Sequence, residues 1–354
     1  MTSLNLVDQA KFTRSLVHAL RAHVDACSES IAAKIDGQGS HTTVTPARPI
    51  AVAWVYTTVL VAWAEDHGLI DPWLRADAQV RRKEFLSLPG MTMSAWLARA
   101  IASLCRHPAT ACLLDPRYNP LRQAAPSNQV ISHLVEWWTH EAPSLCYEVE
   151  QGPSSLSGWL PGDLLQHLSD ERRKGFALTQ TPWWVADFIL DLTLVPAAEE
   201  FRDLTLRTID PSCGTGHFLI RTIDYLWELY TTGQVAPRQI TSRKPVTGWR
   251  RVGAAEAINR VLAGAHGCEK DPLTAAVARL RYVVAIGELM RRAGLTGGSL
   301  RLDSIPPFQP PIVVGDSLLA GAVSKQEYAD LHPKLALIVN LGNDQPTAGQ
   351  TPDS

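Results

Sequence analysis

The sequence predicts an α/β protein in two parts, a helical domain over residues 1–150 and an alternating strand–helix domain over 151–354. Three observations predict it. Apolar residues recur at helical spacing through most of the first part. From residue 204 onward, short apolar runs ending in Gly, Asp or Glu alternate with helical patterns, as in parallel sheets. Between the parts stands Gln151-Gly-Pro-Ser-Ser155, turn-rich punctuation that marks a boundary.

The first helix spans 5–35, where Phe12, Leu16, Leu20, Val24, Cys27 and Ile31 return every three or four places. Gly37-Gln-Gly-Ser40 stops it. A second helix runs over about 49–66 with Gly68 as its C-terminal stop, and further helical patterns cover 93–106 and 128–140. Trp54, Trp63, Trp96 and Trp137 fall within these helices, with Trp138 adjacent; at that spacing they read as core before they read as a base-stacking platform. The apolar run 50–64, broken by Thr57 and Thr58, is shorter than the ~20 residues a bilayer needs and reads as a buried helix. No membrane partner is expected, and no basic-then-apolar leader opens the chain.

Composition narrows the classes. At 354 residues, with 45% hydrophobic and 19% charged content, the chain is globular and long enough for two domains. A net charge of −2 excludes a strongly basic nucleic-acid module, though not a local basic patch. The cysteines at 27, 105, 112, 146, 213 and 268 form no Cys-x-x-Cys pair and no zinc spacing. No metal is expected, and reduced thiols suit a cytoplasmic protein.

The second part is arranged around one turn. The apolar run 204–209 leads into Asp210-Pro-Ser-Cys-Gly-Thr-Gly216, and 218–229 then reads as an amphipathic helix. Gly214 and Gly216 let the backbone pass close to a ligand, and the helix start behind them offers unpaired N–H groups. A dinucleotide fingerprint is not complete, because Leu219 holds the place of its third glycine. Asp210 at the strand tip suits a cationic amino or sulfonium centre and disfavours a pyrophosphate.

Around this turn, 263–268 reads as a second strand ending at Glu269, with Asp271-Pro272 opening a helix. An acid at that tip can accept from ribose hydroxyls. A third strand, 311–315, precedes Asp316, and 335–339 reads as a fourth. Upstream, Thr181 and Pro182 suit the N-cap and first turn of a helix whose apolar stripe is Val185, Phe188, Ile189 and Leu192. The polar connection 231–258 carries Arg243, Lys244, Arg250 and Arg251; it reads first as a solvated loop and second as a phosphate contact.

The string Asp-Pro-x-Cys-Gly-x-Gly-x-Phe at 210–218 resembles the S-adenosylmethionine loop of amino-directed DNA methyltransferases, which methylate adenine N6. Taken with Leu168-Ser-Asp, Ala177-Leu-Thr-Gln-Thr-Pro182, residues 188–194 and Gly315-Asp-Ser-Leu-Leu319, the series from 164 to 319 most resembles the adenine-specific methyltransferases of the PglX type in BREX phage-defence systems. The resemblance implies a Rossmann-like class I methyltransferase domain behind the helical one. It implies S-adenosylmethionine as cofactor, with Thr181, Pro182, Asp210, Pro211, Cys213, Gly214, Gly216 and Phe218 lining its pocket. Glu269 would hold the ribose and Asp316 the adenine amine. Double-stranded DNA is the implied partner, with no metal.

At the fourth strand the resemblance breaks. The family's Asn-Pro-Pro-Tyr, which holds the target amine and stacks on the flipped base, is replaced by Asn340-Leu-Gly-Asn343-Asp-Gln-Pro346. Asn340 and Asn343 are thus the sole catalytic candidates. Because such enzymes are several times longer, the expectation is a sheet incomplete after strand four, completed by self-association or by a partner polypeptide. Two functions follow: a site-specific adenine-N6 DNA methyltransferase, or a catalytically silent S-adenosylmethionine-binding fragment or subunit that borrows its catalytic loop. A protein or RNA amide methyltransferase would share the missing loop, and the Thr-Pro helix favours DNA over it. A purely structural helical protein would bind no cofactor.

Overall fold

The computed structural model describes residues 2–4, 6–37, 46–149, 160–169, 180–202 and 206–317. The expected boundary at 151–155, the fourth strand at 335–339, and Asn340 and Asn343 lie outside these residues.

A short strand β1 (Thr2–Leu4) precedes the long helix α1 (Leu6–Gly37). The stripe read from the sequence is its buried face: Leu16, Leu20, Val24, Cys27 and Ile31 are all buried, and Phe12 packs at the margin. Helix α2 (Ala47–Asp66) is apolar on every side and is the centre of the helical half. It runs 20 residues, longer than the apolar run suggested, so length and composition alone would let it cross a bilayer. Its window is 83% buried inside the protein, the pattern of a core helix. The two threonines that interrupt it are satisfied: Thr57 donates to Ala53 O at 2.6 Å, and Thr58 accepts from Trp138 Nε1 at 2.7 Å. Gly68, at φ +69°, turns the chain after α2.

Helices α3 (Gln79–Ser87), α4 (Met93–Ser103) and α5 (Asn128–His140) surround α2, and α6 (Leu160–Leu168) packs on both α1 and α2. Trp54, Trp63, Trp96 and Trp138 are buried and Trp137 half-buried, so the tryptophans are core and not a stacking platform. A strand β2 (Tyr147–Val149) pairs in parallel with β1, a small sheet that no sequence signal announced.

The second half begins with α7 (Trp183–Leu192) and α8 (Leu194–Glu200). Then come β3 (Thr208–Asp210), α9 (His217–Thr232), α10 (Ala254–Gly264), β4 (Ala265–Glu269), α11 (Pro272–Arg292) and β5 (Ile312–Val314). The strands form a parallel sheet in the order β3-β4-β5, with Ile209 opposite His266 and Cys268 opposite Val313. Parallel pairing needs crossover connections, and α9–α10 and α11 supply them. Among the described residues β3 is an edge strand, and Ile209 on it is 50% exposed.

Helix α11 joins the halves because it is apolar on two faces. Leu273, Ala276, Val277, Leu280, Val283 and Val284, at i, i+3, i+4 and i+7 spacing, enter the core built by α1–α6. Ala275, Ala278, Tyr282, Ile286 and Leu289 enter the core under the sheet. The connection after α11 also docks on the helical half: Leu302 N donates to Leu69 O at 3.0 Å, and Arg106 pairs with Asp303 at 2.8 Å.

Candidate functional site

Strands β3, β4 and β5 end on one side of their sheet, and each ends in or just before an acid. Asp210 closes β3, Glu269 closes β4, and Asp316 lies two residues beyond β5. Between Asp210 and α9 the chain makes the glycine turn. Gly214 has φ +54° and Gly216, the N-cap of α9, has φ +85°, both left-handed values that side chains rarely adopt. Gly267 on β4 is needed for contact: a Cβ there would lie 2.7 Å from Leu219 Cδ1 and 2.9 Å from Cys213 Sγ. Cys213 is accordingly buried beneath the turn, its N–H donating to Cys268 O at 2.9 Å. It packs the turn and offers no thiol; burial, with Asp210 and Glu269 beside it, pushes the thiol far up.

Glu269 does more than sit at a tip. Its Oε2 accepts from Gly214 N at 2.8 Å and its Oε1 from Asp271 N at 2.8 Å, so one carboxylate clamps the turn to the start of α11. Each oxygen keeps acceptor capacity for a ligand hydroxyl. Asp210 accepts from Ser212 N at 3.1 Å, and Asp316 pairs with Lys270 at 2.9 Å. Burial pushes both Asp210 and Glu269 above the usual carboxylate range, with backbone N–H donors pulling them down. This set of side chains is therefore anionic and acceptor-rich. It fits the cation, ribose hydroxyls and amines of S-adenosylmethionine, and it repels a pyrophosphate.

A buried polar layer backs the turn. Thr215 Oγ1 lies 3.2 Å from Gln180 Oε1, which brings the segment of Thr181 and Pro182 against the turn. Arg281, reaching across from α11, donates to Thr215 O at 2.8 Å and to Thr215 Oγ1 at 3.1 Å. Burial lowers Arg281 to about 10, while Tyr56 and Asp163 oppose the fall. Asp163 on α6 is pushed up to about 7 by burial, with Arg281 pulling it down. A carboxyl raised in the folded state adds stability below its ordinary range and loses it as pH rises through about 7. Asp163→Asn should therefore raise the thermal midpoint over wild type at pH 8, with the gain shrinking by pH 5. An equal gain at both pH values would remove the assignment.

Helix α6 approaches the turn so closely that Gly162 has no room for a side chain. A Cβ there would strike Thr215 Oγ1 and lie 2.5 Å from His217 Nε2. Gly162→Ala gains up to about 1 kcal/mol of helix propensity and costs about 1–3 kcal/mol of overpacking. A net drop in thermal midpoint is expected; a rise would show that the turn can yield.

Three expectations need correction. The N-cap of α7 is Pro182, with no side-chain capping bond, so Thr181 lies one residue outside the cap. The stripe Val185, Phe188, Ile189 and Leu192 is not the core face: Phe188, Ile189 and Leu192 are exposed, as is Trp184. The inward face carries Asp187 and Asp191 instead, because each meets a buried partner. Asp187 makes a two-pronged pair with Arg221 at 2.7 and 2.8 Å. Asp191 accepts from the Arg238, Gln239 and Ile240 amides at 2.7–2.9 Å and from Tyr225 OH at 2.8 Å. Third, the second strand starts at Ala265, since 254–264 is helix α10 and not part of a polar connection.

That helix leaves a shorter basic loop. It packs on Asp191 and Glu228, near the ends of α7 and α9 that point away from the glycine turn. Arg243 donates to Asp191 O at 3.3 Å, Arg251 donates to Thr231 O, and Arg250 pairs with Glu256. The loop thus caps helices, at a distance from the strand tips. Phe218 is half-buried against the sheet core, and Pro211 is exposed on the turn. No three His, Cys, Asp or Glu among the described residues gather as a metal site.

No protein-family description matches the chain. Over 288 residues, 76% of its length, it is 35% identical to the adenine-specific methyltransferase PglX of Streptomyces coelicolor. Over those residues the chain is similar to the PglX type. It spans 22% of that relative's length. Among solved structures, the DrdV–DNA complex determined by cryo-electron microscopy aligns with a TM-score of 0.43 and 14% identity, over 94% of this chain and 28% of that one.

Gln180 stands inside the motif string at 177–182; Lys270 stands between the acids Glu269 and Asp271, and Arg281 carries no local signal.

Proposed function

We propose that this chain is the S-adenosylmethionine-binding part of an adenine-N6 DNA methyltransferase of BREX-type phage defence. The observation that carries it is the set of three acids at the tips of three parallel strands around a left-handed glycine turn. In this reading the second half is a Rossmann-like class I methyltransferase domain following a helical domain over 1–150. Bound there, S-adenosylmethionine would supply a methyl group activated by its sulfonium charge. Thr181, Pro182, Pro211, Gly216 and Phe218 wall the pocket. Asp210 compensates the cationic end, Gly214 brings the backbone close, Glu269 holds ribose hydroxyls and Asp316 the adenine amine. The reduced thiols suit the cytoplasm.

Positioning the target amine in line is a separate task, and cofactor affinity does not replace it. Neither Asn340 nor Asn343 is followed by Pro-Pro-Tyr, which favours a second reading: a subunit that binds the methyl donor and takes its catalytic loop from elsewhere. Tritiated methyl donor with unmethylated phage DNA tests both. The chain alone is expected to transfer nothing above background. Incorporation at adenine N6 would put Asn340 or Asn343 in the catalytic role. In this reading the sheet stays incomplete after the fourth strand, and a partner polypeptide or a second copy contributes the strands that complete it. Sedimentation at tens of micromolar is expected to show mass above a monomer, and a stable monomer contradicts self-association.

A further inference from the structure

At the tips of β4 and β5 one cationic donor and one anionic acceptor stand side by side. Lys270 Nζ lies 2.9 Å from Asp316 Oδ2, with the lysine side chain 58% exposed and the aspartate 23%. Their closeness is set by the sheet. Glu269, the residue before Lys270, is in register with Val314, and Gly315 N donates to Glu269 O at 2.9 Å. The pair therefore borders the Glu269 carboxylate that holds the Gly214 amide. An ion pair this exposed contributes little to folding.

What the pair offers is a pattern. Adenine presents, on neighbouring atoms of one edge, an exocyclic amine that donates and a ring nitrogen that accepts. Hypoxanthine inverts both, with a carbonyl oxygen that accepts and a ring N–H that donates. We propose that Lys270 and Asp316 together read that edge of the methyl donor, Lys270 donating to the ring nitrogen N1 and Asp316 accepting from the N6 amine. The inference rests on the reading that S-adenosylmethionine binds at these strand tips. Lys270 is then a specificity-determining residue. Facing hypoxanthine, the ammonium meets a donor and the carboxylate meets an acceptor, so the pair selects by repulsion as well as by attraction.

Lys270 is suited to the test because its side chain is exposed, and a thermal midpoint checks that the fold of each variant is intact. Titration calorimetry of the full chain with S-adenosylhomocysteine and with its deaminated counterpart, S-inosylhomocysteine, reads the discrimination. Wild type should prefer the adenine compound about a hundredfold, the scale of one or two hydrogen bonds to charged groups. Lys270→Met should cut that preference to about tenfold, and Lys270→Arg, which keeps a cationic donor, should restore most of it. A wild type that binds S-adenosylhomocysteine without preference, or a preference unchanged in Lys270→Met, overturns the proposal alone. A wild type that binds neither compound overturns the methyl-donor reading and this proposal with it.

Discussion

Asp191→Ala and Asp187→Ala are each expected to destabilise the chain by about 3–5 kcal/mol, the scale of a buried charge network broken from one side. Removing Asp187 takes both prongs of the pair from the Arg221 guanidinium, whose side chain is 9% exposed, at a carboxylate site that was 2% exposed, and leaves it Asp224 at 2.9 Å. Removing Asp191 leaves the amides of residues 238–240 and the Tyr225 hydroxyl without their acceptor. Each unsatisfied buried donor costs about 1–3 kcal/mol, partly recovered where water enters. Arg250→Ala is the control, since its pair with Glu256 is 71% and 49% exposed and should contribute about 1 kcal/mol or less. Denaturant midpoints check all three. Losses below about 1 kcal/mol at Asp187 and Asp191 would mean that α7 docks through contacts other than these acids.

The second large effect is on the cofactor. Glu269→Ala should weaken S-adenosylmethionine binding by about ten- to a hundred-and-fifty-fold, the range for losing a hydrogen bond to a charged acceptor. Asp316→Ala belongs to the same range, but the two differ in kind. Glu269 also holds Gly214 and Asp271 in place, so its loss deforms the turn, whereas Asp316, two residues beyond β5, pairs with Lys270 and in the proposed site would meet the adenine. Calorimetry on both variants reads the difference. Because burial raises Glu269 in the free protein, acid should weaken binding at a pH where an ordinary carboxylate is still ionised. Affinity unchanged in both variants would remove the pocket.

Much of this was legible in the residues. The turn from Asp210 to Gly216 carries its own signals, an acid at a strand tip and glycines where left-handed backbone is needed. The places of β3, β4 and β5 along the chain, with an acid after each, followed from the spacing of apolar runs. Burial of the tryptophans followed from helical spacing. Helix α7 was misread because apolar periodicity assumes that acids face water, and here Arg221, Tyr225 and the amides of 238–240 draw two of them inward. Nothing local to α7 encodes that; the partners lie 34 to 49 residues downstream. Helix α10 was hidden behind the basic loop. The union of the two halves through α11 lies in its two apolar faces, at 273–284 and 275–289.

The most direct test of the central claim, an S-adenosylmethionine site at the three acidic strand tips, is a calorimetric titration of the wild-type chain with S-adenosylmethionine, repeated in the presence of NAD. Saturable one-to-one binding that NAD does not displace is the predicted result. Absence of binding, or displacement by a pyrophosphate-bearing dinucleotide, would contradict it.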